Sequence, residues 1–122
     1  MPTLEKAVHL LHPGDTAFAI LTNGLYLSLE ENGNGTSGYW SLDAKRASKA
    51  QKVIIYKRSN DIKSAPNDVY IADFVRLTEA EPIEYAGRFL IHLTDIKFAG
   101  HTDKGWQEFV GPGQRPTRYL EG

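Results

Sequence analysis

The sequence predicts an α+β protein: a small, strongly bent sheet or open barrel of about five strands with two or three short helices. Three observations support this. The chain has 122 residues, which suits one domain spanning residues 1–122. Several short runs are rich in β-branched and aromatic residues, as strands are. Short segments containing glycine, proline and asparagine separate these runs, and such segments are typical of turns.

The first two elements are a short helix and a buried strand. Residues 3–11 place Leu4, Val8 and Leu11 on one helical face, and Pro13-Gly14 ends that pattern. Residues 16–21 are almost entirely apolar, which favours a strand inside the core.

The next segment contains a strand, a loop and a helix. Residues 25–30 alternate loosely and predict a strand, after a turn at Asn23-Gly24. Residues 31–38 are rich in glycine and asparagine and predict a flexible loop. Ser41 is suited to capping a helix over residues 41–51.

The second half of the chain contains the clearest strand patterns. Residues 53–56 are β-branched, and residues 69–77 alternate most regularly. Residues 88–98 predict a further strand, and residues 106–110 a short helix or strand. The remaining residues, 111–119, form a tail rich in proline and arginine.

Composition narrows the function classes. The net charge is −1, whereas a broad, nonspecific polyanion binder is usually basic. The chain has no cysteine, which excludes disulfides, thiolate zinc sites and thiol nucleophiles. We find no signal peptide, no bilayer-spanning apolar run, no metal-ligand spacing and no catalytic motif. We therefore expect a cytoplasmic protein with no membrane association, no cofactor and no metal.

The aromatic pair Tyr39-Trp40 follows the glycine-rich loop, directly before the predicted helix. An aromatic side chain in this position can stack on a nucleobase, and Trp106 can supply a second wall. The amide of Asn23 can read a base edge, because it offers both a donor and an acceptor. The alternative is that the aromatic residues belong to the core and that Asn23 is a turn residue.

A basic block lies next to this pair, with six cations within fourteen residues: Lys45, Arg46, Lys49, Lys52, Lys57 and Arg58. Such a block can contact phosphates. Arg115 and Arg118 in the tail can extend it. The alternative is a solvated helix face and a frayed terminus.

The order of these motifs resembles the PUA-like superfold, and within it the EVE and YTH domains that bind modified bases. The resemblance covers about residues 16–100 and rests on five stretches. They are Leu21-Thr22-Asn23, Tyr39-Trp40-Ser41, Val53-Ile54-Ile55-Tyr56, Val69-Tyr70-Ile71-Ala72-Asp73-Phe74 and Tyr85-Ala86-Gly87-Arg88-Phe89-Leu90-Ile91. The loop over residues 31–38 and the leading helix depart from the pattern.

The resemblance implies a noncatalytic module that binds a methylated cytosine or adenine flipped into an aromatic pocket. Trp40 would be a cage wall, Ser41 a contact to the base and Asn23 the edge reader. Tyr39 and Tyr56 would belong to the same pocket, and Trp106 or Tyr26 would be the second wall. The cations Lys45, Arg46, Lys49, Arg58, Arg115 and Arg118 would hold phosphates. The implied partner is a nucleic acid, DNA before RNA, and the chain would be a module of a larger protein.

Two other functions stay open at this point. Related ASCH domains include small hydrolases and nucleases, for which Thr94, Lys97 and Glu79 would have to supply the catalytic groups. A protein- or nucleotide-binding interaction protein is the other alternative, which the near-zero net charge favours.

Overall fold

The computed structural model describes residues 3–24, 26–59, 66–111 and 116–122. These residues contain seven strands: β1 Thr16–Thr22, β2 Leu27–Leu29, β3 Gly35–Trp40, β4 Lys52–Lys57, β5 Asn67–Glu79, β6 Phe89–Thr102 and β7 Thr117–Glu121. Two short α-helices, α1 Ala44–Ala47 and α2 Trp106–Val110, accompany them. Two 3-10 helices lie at Ala7–Leu10 and Ile83–Tyr85.

All seven strands belong to one open mixed sheet, in the order β2-β3-β6-β5-β4-β1-β7. The β1–β4 pair is parallel, and the other pairs are antiparallel. The α+β class is therefore confirmed. The strand count is seven and not about five, because β3 and β7 lie in segments that the sequence marked as loop and tail.

The side chains alternate between two hydrophobic clusters, one on each face of the sheet. Ala19 of β1 and Ile54 of β4 belong to the first cluster, with Phe109 of α2. Their neighbours Phe18 and Val53 belong to the second. This alternation explains why β1 and β4 read as continuous apolar runs.

The sheet curls around the second cluster. Three strands separate β1 from β3 in the sheet order, yet Phe18 and Ile20 of β1 share this cluster with Trp40 of β3. The curl brings the C-terminal ends of β1 and β3 close together, and an open cleft lies where they meet.

Glycine in residues 31–38 serves close packing and not flexibility alone. A Cβ on Gly35 would lie 2.2 Å from the backbone oxygen of Ser28, so only glycine allows β2 and β3 to pair there. The predicted loop thus contains most of β3. The high glycine content predicted a loop, whereas the glycine at position 35 is needed because β2 lies too close for a side chain.

Both predicted helices in the first half are shorter than expected. Residues 3–11 form helix only at Ala7–Leu10, because Thr3 pairs with His101 and Leu4 donates its N–H to the carbonyl of His101. Helix α1 begins after Asp43, whose carboxylate accepts hydrogen bonds from the backbone N–H groups of Lys45 and Arg46. Asp43, and not Ser41, is therefore the helix cap.

In the described ranges, every helix is too short or too polar to cross a bilayer.

Candidate functional site

An open cleft of about 410 Å³ lies where the ends of β1 and β3 meet the turn between β5 and β6. Its volume falls in the range of small-molecule sites, about 300–1,000 Å³. Its lining residues are Leu21, Thr22, Asn23, Tyr26, Gly38, Tyr39, Trp40, Arg58, Tyr85 and Arg88.

Three tyrosines dominate this lining: Tyr26, Tyr39 and Tyr85, which we call the tyrosine cluster. The rings of Tyr39 and Tyr85 are stacked, with centroids 5.0 Å apart and 23° between their planes. The ring of Tyr26 lies 4.9 Å from that of Tyr39 and meets the ring of Tyr85 edge-on at 5.5 Å. Each tyrosine comes from a different segment, so the cluster exists only in the folded chain.

Polar contacts fix the cluster on its exposed side. The hydroxyl groups of Tyr26 and Tyr85 are hydrogen-bonded at 3.0 Å. This bond is the main reason why the pKa of the Tyr26 hydroxyl is raised. Tyr26 also has a φ of 58°, in the left-handed region that side chains rarely adopt. The bond and the ring contacts thus hold an unusual backbone conformation beside the cleft.

The spacing of the rings determines where a flat ligand can stack. A base between two rings needs about 7 Å between them, since each contact takes about 3.5 Å. Tyr39 and Tyr85 are closer than that. The cluster is therefore a platform with an open outer side, and not a cage with a gap between its walls.

Two arginines border the platform. Arg88 lies 5.9 Å from the centre of the Tyr85 ring and donates from Nη1 to the carbonyl of Tyr39 at 3.5 Å. Arg58 follows β4, and its backbone N–H donates to the carbonyl of Thr22. No carboxylate of the described residues forms an ion pair with either guanidinium. Both charges are exposed, so they can meet an anionic ligand.

Asn23 is exposed at the rim of the cleft. The turn that carries it is fixed by a hydrogen bond from the N–H of Gly24 to Oγ1 of Thr22, at 3.0 Å. This location suits an amide that reads the edge of a base lying on the platform.

Trp40 lines the cleft although it is almost entirely buried. The residue is 9% exposed and packs in the second hydrophobic cluster. Its indole N–H donates to Oγ of buried Ser37 at 2.9 Å. Trp40 is therefore a core residue that forms the floor of the cleft. Ser41 is exposed and does not line it.

Tyr56 and Trp106 lie elsewhere. Both belong to the first hydrophobic cluster, on the other face of the sheet, with ring centroids 5.5 Å apart. The Tyr56 hydroxyl donates to the carbonyl of Lys104. Trp40 packs in the second cluster, on the opposite face. The structure therefore does not bring Tyr56 and Trp106 to the cleft.

The predicted phosphate contacts are dispersed. Arg46 and Lys49 line a separate cleft of about 330 Å³ beside Thr16, where β1 begins. The cleft with the tyrosine cluster lies at the other end of β1, about 20 Å away at about 3.3 Å per residue. The guanidinium of Arg46 covers the ring of Tyr119, with 4.1 Å to its centre.

The other cations of that prediction also lie away from the platform. Lys45 is exposed on α1, and the N–H groups at the start of that helix are occupied by Asp43. The guanidinium of Arg118 lies against Gly111, beside α2. Arg115 lies outside the described residues. Of the five predicted phosphate contacts that the structure describes, Arg58 alone lines the cleft.

The sequence reasoning did not assign Tyr85 and Arg88 to the site. They stand in the stretch Tyr85-Ala86-Gly87-Arg88, which entered only through the resemblance. The available signal was an aromatic and a cation flanking Gly87, in a turn that follows Pro82. Such turn positions project side chains from a scaffold.

The residues of the hydrolase alternative are not assembled into one site. Thr94 donates from Oγ1 to Oδ1 of Asn34 at 2.7 Å, and Lys97 pairs with Asp95 at 3.4 Å. Glu79 lines a different cleft. Over the residues that the structure describes, no group of three or more metal-ligating side chains occurs.

Comparison of the chain with protein-family models, with curated proteins and with solved structures finds no match.

Proposed function

We propose that this chain is a noncatalytic module that binds a modified nucleobase, such as methylated cytosine or adenine, taken out of a nucleic-acid strand. The observation that carries the proposal is the tyrosine cluster bordered by Arg58 and Arg88. Aromatic faces bind bases, and neighbouring guanidinium groups bind their phosphates.

The free energy of binding must offset the cost of taking the base out of its stack. Stacking on one aromatic contributes about 1–3 kcal/mol per base. Unstacking a base from a duplex costs a few kcal/mol. One platform therefore offsets the cost only with help from edge hydrogen bonds and phosphate contacts. In this proposal Asn23 supplies the edge hydrogen bonds, and Arg58 and Arg88 supply the phosphate contacts.

The residues that line the cleft favour a binding module over the hydrolase alternative. It requires a lysine or a carboxylate that points at the bound ligand. Among the described residues that line the cleft with Trp40, there is no lysine, aspartate or glutamate. The tyrosines and the amide are the groups that a binding module needs.

Binding of short oligonucleotides tests the proposal. Single strands with one central cytosine or adenine, methylated or not, are titrated by fluorescence anisotropy with the wild type and with Tyr85→Ala. We expect binding that depends on methylation and weakens with the substitution. No preference for methylation, together with unchanged affinity of the variant, would refute the proposal.

A second candidate function is binding of a free nucleotide. It is favoured because Arg58 and Arg88 border the cleft while Arg46 and Lys49 lie about 20 Å away. Ligand length discriminates the two functions. A nucleic-acid module binds a ten-nucleotide strand more tightly than the matching mononucleotide, whereas a nucleotide-binding protein does not.

A further inference from the structure

Ile83 stands out among the exposed apolar residues. Ile83 is 90% exposed, whereas Tyr26 and Val75 are 44% exposed. An aliphatic side chain gains burial free energy when another surface covers it, so Ile83 is suited to such a contact.

The turn that carries Ile83 is held by its own backbone. The N–H of Tyr85 donates to the carbonyl of Pro82 at 3.0 Å, and the N–H of Ala86 to that of Ile83 at 3.1 Å. Arg88 donates its N–H to the carbonyl of Tyr85 at 3.0 Å. The tip is thus part of an ordered 3-10 turn, and its position relative to Tyr85 is fixed.

The same turn contributes the platform. Tyr85 stands two residues after Ile83 and stacks on Tyr39, and Arg88 follows after Gly87. An exposed aliphatic tip, an aromatic platform and a cation therefore share one short segment. Proteins that unstack bases commonly insert an isoleucine, leucine or proline between base steps.

We propose that Ile83 is a wedge that inserts into the base stack beside the target base when the partner is a duplex. The inference rests on the proposed function, because it assumes that the platform receives the displaced base. Ile83 then covers the face of the neighbouring base that the displaced base has left. Its own apolar surface is buried in the same step, which offsets part of the unstacking cost.

The turn that carries Ile83 is acidic, and this charge affects binding to any duplex. Glu81 and Glu84 flank the tip, and no described cation forms an ion pair with either. Their repulsion from phosphates weakens binding to any duplex, whichever base it carries. The contacts of the platform and of the wedge must therefore offset this repulsion.

The test compares a duplex with a single strand that carry the same modified base. We expect Ile83→Ala to lower affinity for the duplex about tenfold and to change affinity for the single strand less than about twofold. Val75→Ala is the matched control, since Val75 is an exposed aliphatic residue on β5 that does not line the cleft. It should change neither affinity.

A fluorescent base analogue next to the target reports unstacking directly. Wild type should raise its emission in the duplex, and Ile83→Ala should raise it less at saturating protein. If Ile83→Ala loses affinity equally for the duplex and the single strand, or for neither, the wedge is overturned while the platform stays in place. Absence of binding by the wild type to the single strand as well would refute the proposed function itself, and the wedge with it.

Discussion

The ring of Tyr39, at the end of β3, stacks on the ring of Tyr85, in the turn between β5 and β6, with centroids 5.0 Å apart. β3 pairs with β6, and Trp40 stands opposite Phe89 in that pair. The pairing places the last residues of β3 beside the turn that precedes β6. The platform therefore follows from strand register, and its exposed side is the feature that suits a base.

Removal of either stacked ring should weaken base binding. We expect Tyr39→Ala and Tyr85→Ala each to lower affinity about 5- to 150-fold, corresponding to about 1–3 kcal/mol of stacking. Tyr85→Phe keeps the ring and should retain most of the affinity. Anisotropy titration with a modified-base single strand measures these effects.

The matched control for these variants is Phe98→Ala, which removes a 40% exposed ring on β6 that does not line the cleft. It should leave affinity unchanged. An equal loss with Phe98→Ala would mean that the effect of the tyrosine variants is not local.

The salt dependence of binding should reflect Arg58 and Arg88. Two phosphate contacts give a slope of about −1.4 in log affinity against log salt for a single strand, or roughly a sevenfold loss from about 50 to 200 mM. Arg88→Gln should reduce the magnitude of this slope by about 0.7. Lys49→Gln, at the other end of β1, should not alter it. If the slope changes with Lys49→Gln and not with Arg88→Gln, the nucleic acid binds at the cleft beside Lys49 and not at the platform.

Trp40 should prove to be a determinant of stability. Trp40→Ala removes a buried ring of the second cluster, and we expect it to lower the free energy of unfolding by about 3–5 kcal/mol. Ser37→Ala leaves the buried indole N–H without its partner and should cost about 1–3 kcal/mol. Urea unfolding followed by circular dichroism measures both. A loss below about 1 kcal/mol for Trp40→Ala would contradict its place in the core.

His92 should make the fold less stable in mild acid. Burial lowers the pKa of His92, the nearby Arg76 lowers it further, and Nε2 is 2.8 Å from Oγ1 of Thr78. As the pH falls through about 6.5, the unfolded chain takes up a proton at His92 that the folded chain resists. The free energy of unfolding should therefore decrease from about pH 7 to pH 5.

His92→Gln should make that decrease smaller, because glutamine does not titrate in this range. The other histidines are present in both proteins, so their effects cancel in the difference. Urea unfolding at each pH gives the two curves. Parallel curves for wild type and variant would show that His92 titrates alike in the folded and unfolded chain.

Local pattern predicted most of the strands. β1 and β4 were found as continuous apolar runs, because both of their faces are buried, and β5 was found by its alternation. β3 was missed because its glycines read as a loop, whereas Gly35 is required by the proximity of the Ser28 backbone, which only the folded structure shows. β7 was missed because a five-residue strand that depends on pairing with β1 has little local signal.

The site was harder to predict than the fold. Asn23, Tyr39 and Arg58 were named from the sequence and line the cleft. Trp40 was predicted as a stacking wall from its position between the glycine-rich segment and the helix, yet its indole N–H is bonded within the core. Tyr85 reaches the site through the turn after β5, and a contact between distant segments leaves no pattern in the sequence.

The most direct test of the account is the affinity of the double variant Tyr39→Ala/Tyr85→Ala for a single strand with one methylated base, measured beside its unmethylated counterpart. We predict that wild type prefers the methylated strand, that the double variant binds both strands weakly and alike, and that its unfolding midpoint shows it to be folded. A folded double variant that keeps the wild-type preference would contradict the claim that the tyrosine cluster is a base-binding platform.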